Sequence, residues 1–147
     1  MESGIGILIL FFLVMVVIWI LFMIAVRRLT GRRQSELEAE LQDETIRYIE
    51  NGPNFFGQRS KGFRQIRGNG VLALTDQAVH FLMWLPRRKV VIRRDAVTQV
   101  EEARTFFYKT NLVPLLKLSF INEKGEEDAC AWHVRDLQHW IRELKSE

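Results

Sequence analysis

The chain of 147 residues carries a formal net charge of +3 and contains one cysteine, which excludes an internal disulfide framework. Nearly half of its residues are hydrophobic and prolines are few, so the chain is not compositionally disordered. The small net charge conceals a segregation, because residues 51–100 carry nine basic residues against two acidic ones, whereas residues 34–50 carry six acidic residues against one basic residue. This pattern predicts one positively charged face, although a solvated surface of uneven charge would give the same counts.

The N-terminal segment Ile5–Val26 has 22 residues without a charged side chain. At about 1.5 Å per residue, a helix of this length reaches roughly 33 Å, which suffices for a hydrocarbon core of about 30 Å. A cleaved signal peptide would need a basic start, a shorter apolar run and a small-residue cleavage site, and the sequence matches none of these. Residues 1–28 are therefore predicted to be a retained single-pass transmembrane anchor.

The basic residues beside this segment predict its orientation. No lysine or arginine precedes the segment, and four arginines follow it closely: Arg27, Arg28, Arg32 and Arg33. The positive-inside rule then places the N-terminus outside and the later residues in the cytoplasm. We expect a single-pass protein of an inner or plasma membrane, with its C-terminal domain in the cytoplasm.

The next segment, residues 29–54, is predicted to be an acidic helical stalk. Ser35 and Glu38 have the spacing of a capping box, and apolar residues recur on one helical face after them. The helix is expected to end near Glu50, because the Asn-Gly-Pro run that follows cannot continue it well. Such a stalk would hold the domain near the bilayer or pack against a partner helix.

From Phe63 onward, apolar residues recur with a period of two, which is typical of strands. Gly68–Gly70 is predicted to be a tight turn between the first two strands. Seven short strands are predicted: Phe63–Arg67, Val71–Leu74, Ala78–Leu85, Lys89–Arg93, Val97–Glu102, Leu115–Ile121 and Asp128–His133. Residues 137–144 then have the spacing of an amphipathic helix. This order predicts a small twisted barrel with the helix covering an open end.

At this point a family resemblance appears. Gly70–Asp76 followed by Val79–Phe81 resembles the hairpin of GRAM domains, a branch of the pleckstrin-homology-like (PH-like) superfold. Asp95–Val100 resembles a later strand of that family, and Leu116–Phe120 and the helix containing Trp140 complete the pattern. The resemblance implies a fold class of one N-terminal transmembrane helix plus a mainly-β, GRAM-type small barrel with a C-terminal capping helix over residues 55–147. Such patterns specify a fold better than a function.

Six basic residues are predicted to form a patch that meets the membrane surface or a partner: Lys61, Arg64, Arg67, Arg87, Arg88 and Lys89. The resemblance implies that the first three lie on one hairpin and the last three on another, and that both hairpins open at the same end. Each base near an anionic leaflet would gain on the order of 1 kcal/mol. Alternatively, these bases are solvated or pair with the acidic stalk.

The sequence predicts no catalytic, cofactor-binding or metal site. Cys130, His133 and His139 are the one cluster of ligand types, but Cys130 and His133 would face opposite sides of a strand, and zinc needs three or four converging ligands. No serine lies in a nucleophile elbow, and bases do not alternate with aromatics as in a nucleic-acid platform. We therefore expect no enzyme activity, no cofactor, no small-molecule substrate and no nucleic-acid partner.

Four aromatic residues are predicted to contact another chain: Trp19, Phe106, Phe107 and Tyr108. Residues 105–114 are expected to form a loop, and three consecutive aromatics cannot all point into one core. An exposed aromatic cluster is usual at an interface and costly elsewhere. Trp19 lies deeper than the usual interfacial belt, so it would face a partner helix, a bound cofactor or, as the plainest alternative, lipid. The alternative is that the loop folds back and buries its three aromatics.

Two classes of function remain open. The favoured one is a non-enzymatic accessory or structural subunit of a larger membrane complex, which docks through its PH-like cytoplasmic domain and its transmembrane helix. The other is a membrane-tethered GRAM/PH module that senses or binds anionic lipid. The first is favoured because a spanning helix already anchors far more strongly than surface lipid contacts do. Membrane lipids and integral membrane proteins are the expected partners.

Overall fold

The computed structural model describes residues 2–62, 64–107 and 109–146, without the side chains of residues 2–4, 29 and 109–111. The chain divides into two compact units, Met1–Arg32 and Arg33–Glu147. The elements in chain order are α1 (Glu2–Glu40), β1 (Ile46–Gln58), β2 (Gly68–Thr75), β3 (Ala78–Met83), β4 (Arg88–Arg93), β5 (Val97–Phe106), β6 (Lys109–Ile121), β7 (Glu127–His133) and α2 (Leu137–Lys145). Two short 3₁₀ turns, Arg59–Lys61 and Arg94–Ala96, connect strands.

The first unit is the larger part of α1. This helix contains one stretch that is long and apolar enough to cross a membrane, with a mean hydropathy of 3.4. Its large apolar side chains, Trp19 among them, are exposed rather than packed against protein. A helix can cross lipid because its backbone groups are all satisfied within the segment. The first unit is therefore a candidate membrane anchor by length and composition.

The second unit is built on one antiparallel sheet with the strand order β4-β3-β2-β1-β7-β6-β5. β1 is long and irregular: its first part pairs with β2 and its second part pairs with β7. β4 and β5 are the two edges, so the sheet is open rather than closed by strand pairing. Seven strands followed by one helix are present as predicted, but they form an open sheet rather than the predicted small barrel, because the edge strands β4 and β5 do not pair with each other.

The core of this unit explains why several strands are apolar on both faces. Inward side chains such as Leu72, Phe81 and Trp132 are buried in the main core, where α2 contributes Trp140. On the outer face of β2 and β3, a second cluster packs against the C-terminal part of α1: Leu37, Leu41, Val71, Ala73 and Leu82. Both faces of these two strands are therefore removed from water.

The prediction of a helix from Ser35 to about Glu50 is wrong beyond Glu40. β1 begins at Ile46, because residues 46–55 pair with β2 and so satisfy their backbone groups in a sheet. Ser35 lies inside α1 and does not cap it. Residues Arg33–Leu41, which we call the docked segment, belong to the second unit rather than to a free stalk.

The first predicted hairpin is also wrong in the positions of its first strand and its turn. Residues 64–67 connect β1 to β2 instead of forming a strand, and Gly68–Gly70 begins β2 instead of forming a turn. Gly70 marks a close approach, because a Cβ at this position would lie 2.6 Å from the ring of Phe81. The true first strand, β1, lies in the segment that was predicted to be a stalk.

Candidate functional site

Two connections lie side by side at one end of the sheet. The backbone amide of Trp84 donates to the carbonyl of Asn69 at 2.9 Å, and a Cβ on Gly68 would lie 3.1 Å from the carbonyl oxygen of Leu85. The start of β2, which directly follows the β1–β2 loop, therefore contacts the β3–β4 turn. We call residues 59–67 and 84–88 the loop end, of which Phe63 lies outside the described residues.

The loop end exposes two aliphatic side chains and several bases. Ile66 is 63% exposed and Leu85 is 69% exposed, one on each connection. Lys61 and Arg64 are exposed and have no ion-pair partner among the described residues. Arg59, which the sequence reasoning did not single out, is exposed and unpaired in the same part of the chain. The sequence feature that could have identified Arg59 is its position two residues before Lys61, with only Ser60 between them, which places it in the same basic segment.

The other predicted bases have protein partners. The guanidinium of Arg67 lies over the ring of Phe56 at 4.3 Å, and that of Arg88 lies 5.2 Å from the ring centroid of Phe55. In the docked segment, Glu36 pairs with Arg87 at 3.6 Å and Glu40 pairs with Lys89. The alternative reading, in which bases pair with acidic residues before β1, thus holds for Arg87 and Lys89. Among the described residues of the loop end, the bases without a protein partner lie on the β1–β2 loop: Arg59, Lys61 and Arg64.

A buried carboxylate lies under that loop. Asp128, at the start of β7, has no exposed surface and accepts four hydrogen bonds. They come from Gln58 Nε2 at 2.6 Å, Ser60 Oγ at 2.6 Å, the Ser60 amide at 2.9 Å and the Ala129 amide at 2.8 Å. Burial alone would raise the pKa of Asp128, but the bonds from Ser60, Gln58 and Ala129 outweigh it and lower this pKa.

A second acid lies at the opposite end of the sheet. The Thr75 hydroxyl donates to Glu44 at 2.5 Å, and this bond is the main cause that lowers the pKa of Glu44. His80 Nε2 lies 3.2 Å from the same carboxylate oxygen. A cleft of about 600 Å³ opens there, lined by Glu44, Asp76, Gln77, Ala78, His80, Val91, Arg93, Arg94 and Asp95. Its charges are largely paired with one another, as Arg93 is with Asp95.

The predicted loop over residues 105–114 is wrong, and Phe106 is not exposed. β5 continues to Phe106 and β6 begins at Lys109, so most of residues 105–114 are strand rather than loop. Phe106 is 6% exposed and packs with Leu115, while Phe107 is half-buried on it with ring centroids 4.5 Å apart. Tyr108 lies outside the described residues. Contacts of Phe107 and Trp19 with another chain stay predictions.

An irregular register in β6 explains this burial. Ala103 pairs with Leu115, whereas Thr105 pairs with Thr110, so four residues of β6 bulge between them. The tip of the hairpin thereby reaches β1, where a Cβ on Gly57 would lie 2.9 Å from the Phe107 ring. The bulge leaves Leu112 fully exposed.

The residues considered as metal ligands do not converge. Cys130 is buried, and burial raises the pKa of its thiol far above the usual range, which makes it a poor nucleophile and ligand. His133 is exposed, and His139 lies against the ring of Tyr48. Within residues 2–62, 64–107 and 109–146, no group of three His, Cys, Asp or Glu residues is arranged to hold a metal ion.

Solved structures share the fold of the second unit. The Vps36 N-terminal PH domain matches with a TM-score of 0.51 and 16% identity, over 71% of this chain and 78% of that one. The C-terminal domain of an unknown protein from Leishmania infantum matches with a TM-score of 0.51 and 12% identity, over 78% of this chain and 92% of that one. No protein-family model and no curated protein matches the sequence. The likeness shows the fold alone, and the predicted PH-like fold is confirmed.

Proposed function

We propose that this chain is a non-enzymatic, single-pass membrane protein whose GRAM-type PH-like domain binds anionic lipid at the cytoplasmic membrane surface through its loop end. One observation carries the proposal: Arg59, Lys61 and Arg64 are exposed and unpaired among the described residues, beside the exposed aliphatics Ile66 and Leu85. Bases gain from anionic headgroups, and aliphatic side chains gain from the acyl boundary just below them.

Chain connectivity supports this assignment. The docked segment begins at Arg33, and one turn later Glu36 contacts Arg87 of the loop end. Only six residues separate Arg33 from Val26, the last residue of the apolar stretch. Even a fully extended chain of that length spans at most about 25 Å. In the proposed function, so short a connection is expected to keep Arg87 within reach of the bilayer.

Lipid binding by an already anchored domain would serve orientation rather than attachment. A spanning helix inserts far more strongly than surface charges bind, so Arg59, Lys61 and Arg64 add little to membrane retention. Each of them near an anionic leaflet is worth about 1 kcal/mol, which suffices to favour one orientation of a tethered domain. The domain would then present its opposite end to the cytoplasm.

The test uses the full chain in lipid nanodiscs, with an environment-sensitive fluorophore on Ile66→Cys. The native thiol, Cys130, is buried and should not react. We expect a blue shift in discs containing anionic lipid compared with neutral discs, and its loss at high salt, because screening weakens charge attraction. The triple variant Arg59→Gln, Lys61→Gln, Arg64→Gln should also lose the shift. Equal spectra in neutral and anionic discs at low salt would refute lipid binding.

An accessory subunit of a membrane complex is the second candidate. Burial of Phe106 removes one of the aromatics predicted to contact a partner, but Leu112 is fully exposed and Val113 beside it is 46% exposed. Exposed aliphatics on a bulge suit a protein partner. Leu112→Ser should then reduce co-purification of a partner from the native membrane without lowering the melting temperature. Unchanged co-purification would count against this surface.

A further inference from the structure

We propose that Asp128 is a positioning residue, which holds the β1–β2 loop in the shape that presents its bases to anionic lipid. This inference rests on the proposed function and deepens it. Asp128 is itself inaccessible, and no ion pair or hydrogen bond joins it to a basic side chain among the described residues. It acts through Gln58 and Ser60, the two residues that enclose Arg59.

The direction of the Ser60 side chain links the carboxylate to the bases. Ser60 is the middle residue of the 3₁₀ turn Arg59–Lys61, and both its amide and its hydroxyl donate to Asp128. Arg59, Ser60 and Lys61 are all exposed. The two bonds from Ser60 therefore hold the turn in place over the carboxylate without burying any of its residues.

A second set of bonds closes the other side of the loop. The Gln58 amide donates to Gln65 Oε1 at 3.0 Å, and Gln65 Nε2 donates to the Gln58 carbonyl at 2.7 Å. Gln65 Nε2 also donates to the carbonyl of Gly62. The loop is therefore tied at both ends to Gln58, and Gln58 is tied to Asp128. A loop that is already ordered in the folded protein does not lose the conformational entropy of ordering when it binds lipid.

The chemistry of Asp128 favours positioning over charge balance. A buried carboxylate without a cation is retained only where hydrogen bonds offset its desolvation. Its described donors are all neutral groups, so Asp128 does not serve to neutralise Arg59, Lys61 or Arg64. Its negative charge would by itself weaken attraction to an anionic surface.

The negative charge of Asp128 allows the nanodisc assay with the Ile66→Cys label to distinguish positioning from a charge effect. Asp128→Asn removes a negative charge, so charge alone predicts a larger blue shift, whereas positioning predicts that most of the anionic-lipid-dependent shift is lost. The matched control is Glu50→Gln, which also removes a buried carboxylate that accepts two bonds, from Trp140 Nε1 and the Arg135 amide. Glu50→Gln should keep the shift. Ser60→Ala removes only a hydroxyl and repeats the test if Asp128→Asn fails to fold.

The outcomes separate the two proposals. Loss of the shift in Asp128→Asn or Ser60→Ala, with faster hydrogen exchange of the loop amides and retention of the shift in Glu50→Gln, supports positioning. An unchanged or larger shift in folded Asp128→Asn overturns it, as does an equal loss in Glu50→Gln. If the triple glutamine variant of the loop bases keeps the wild-type shift, the lipid-binding function itself is wrong, and positioning for that function is wrong with it.

Discussion

Two buried carboxylates of the domain, Asp128 and Glu50, are satisfied by neutral donors rather than by cations. Glu50 accepts from the Trp140 indole at 2.7 Å and from the Arg135 amide at 2.8 Å, which ties α2 to β1. Asp128 ties the β1–β2 loop to β7. Removing one partner of such a bond leaves the other group buried and unsatisfied, which is the costly case. Neither carboxylate could be assigned from sequence, because all their donors except the Ala129 amide are distant in the chain.

The lowered pKa of Asp128 gives a pH dependence with a definite sign. A carboxyl whose pKa is lower in the folded state contributes stability above its unfolded pKa and loses it as pH falls through its folded pKa. We expect the unfolding free energy to be steady from neutral pH to about pH 5 and to fall below the usual aspartate pKa of about 3.9.

Asp128→Asn should reduce the fall in unfolding free energy at acidic pH, which we call the acid limb. Denaturant unfolding of the full chain at several pH values measures the effect. The pKa of Glu44 is also lowered, so Glu44 should account for a second part of the stability lost at acidic pH. Glu44→Gln should therefore reduce that loss as well. An acid limb identical in wild type and Asp128→Asn would contradict the assigned role of the Asp128 bonds.

At the scale of elements, the docked segment is the least expected feature. Leu37 and Leu41 pack on the sheet from a helical segment, whereas Tyr48, which shares their helical spacing in the sequence, packs against Trp140 from β1. A short apolar run is ambiguous between helix and strand, and only pairing with β2 and β7 decided it. Those pairings are distant in sequence, so local pattern could not supply them.

Because the docked segment is buried, truncating its side chains should lower the unfolding free energy, which would not happen in a free stalk. Leu37 is fully buried against the outer face of β2 and β3. Leu37→Ala should cost about 2–5 kcal/mol of unfolding free energy, the usual range for a buried leucine truncated to alanine. Glu38→Ala, on the exposed side of the same turn, should change stability by less than about 0.5 kcal/mol. Chemical denaturation of both variants measures this, and equal stability would show that the segment does not pack on the sheet.

At the scale of the whole molecule, the sequence was sufficient for the PH-like fold and for a candidate anchor, since both follow from long local patterns. Lys61 and Arg64 of the candidate site were located from the sequence, but Arg59 was not, and the sequence did not show which bases lack a partner. Arg87 and Lys89 are paired because the docked segment reaches them. Arg59 lies in the turn that Ser60 ties to Asp128, and it has no ion-pair partner among the described residues. Both outcomes depend on packing between segments far apart in the chain.

Orientation across the membrane is a further prediction at this scale. Of the four flanking arginines, Arg33 is buried in the second unit and pairs with Glu36, so we leave it unchanged. Replacing the other three, Arg27, Arg28 and Arg32, with asparagine should mix the orientation, because the charge bias that sets it is removed. Protease added to intact cells or spheroplasts should spare the wild-type domain and cut a fraction of the variant. Digestion of the wild-type domain would contradict a cytoplasmic location.

The most direct measurement of the central claim compares two fluorescent labels on the full chain in anionic nanodiscs, quenched by headgroup-labelled lipid. One label replaces Ile66 at the loop end, and the other replaces Gln77, in the exposed β2–β3 turn at the far end of β2. The length of β2 separates these positions by about 25 Å. The account predicts strong quenching at residue 66 and little at residue 77. Equal quenching at both positions, or stronger quenching at residue 77, would contradict a loop end that faces the membrane.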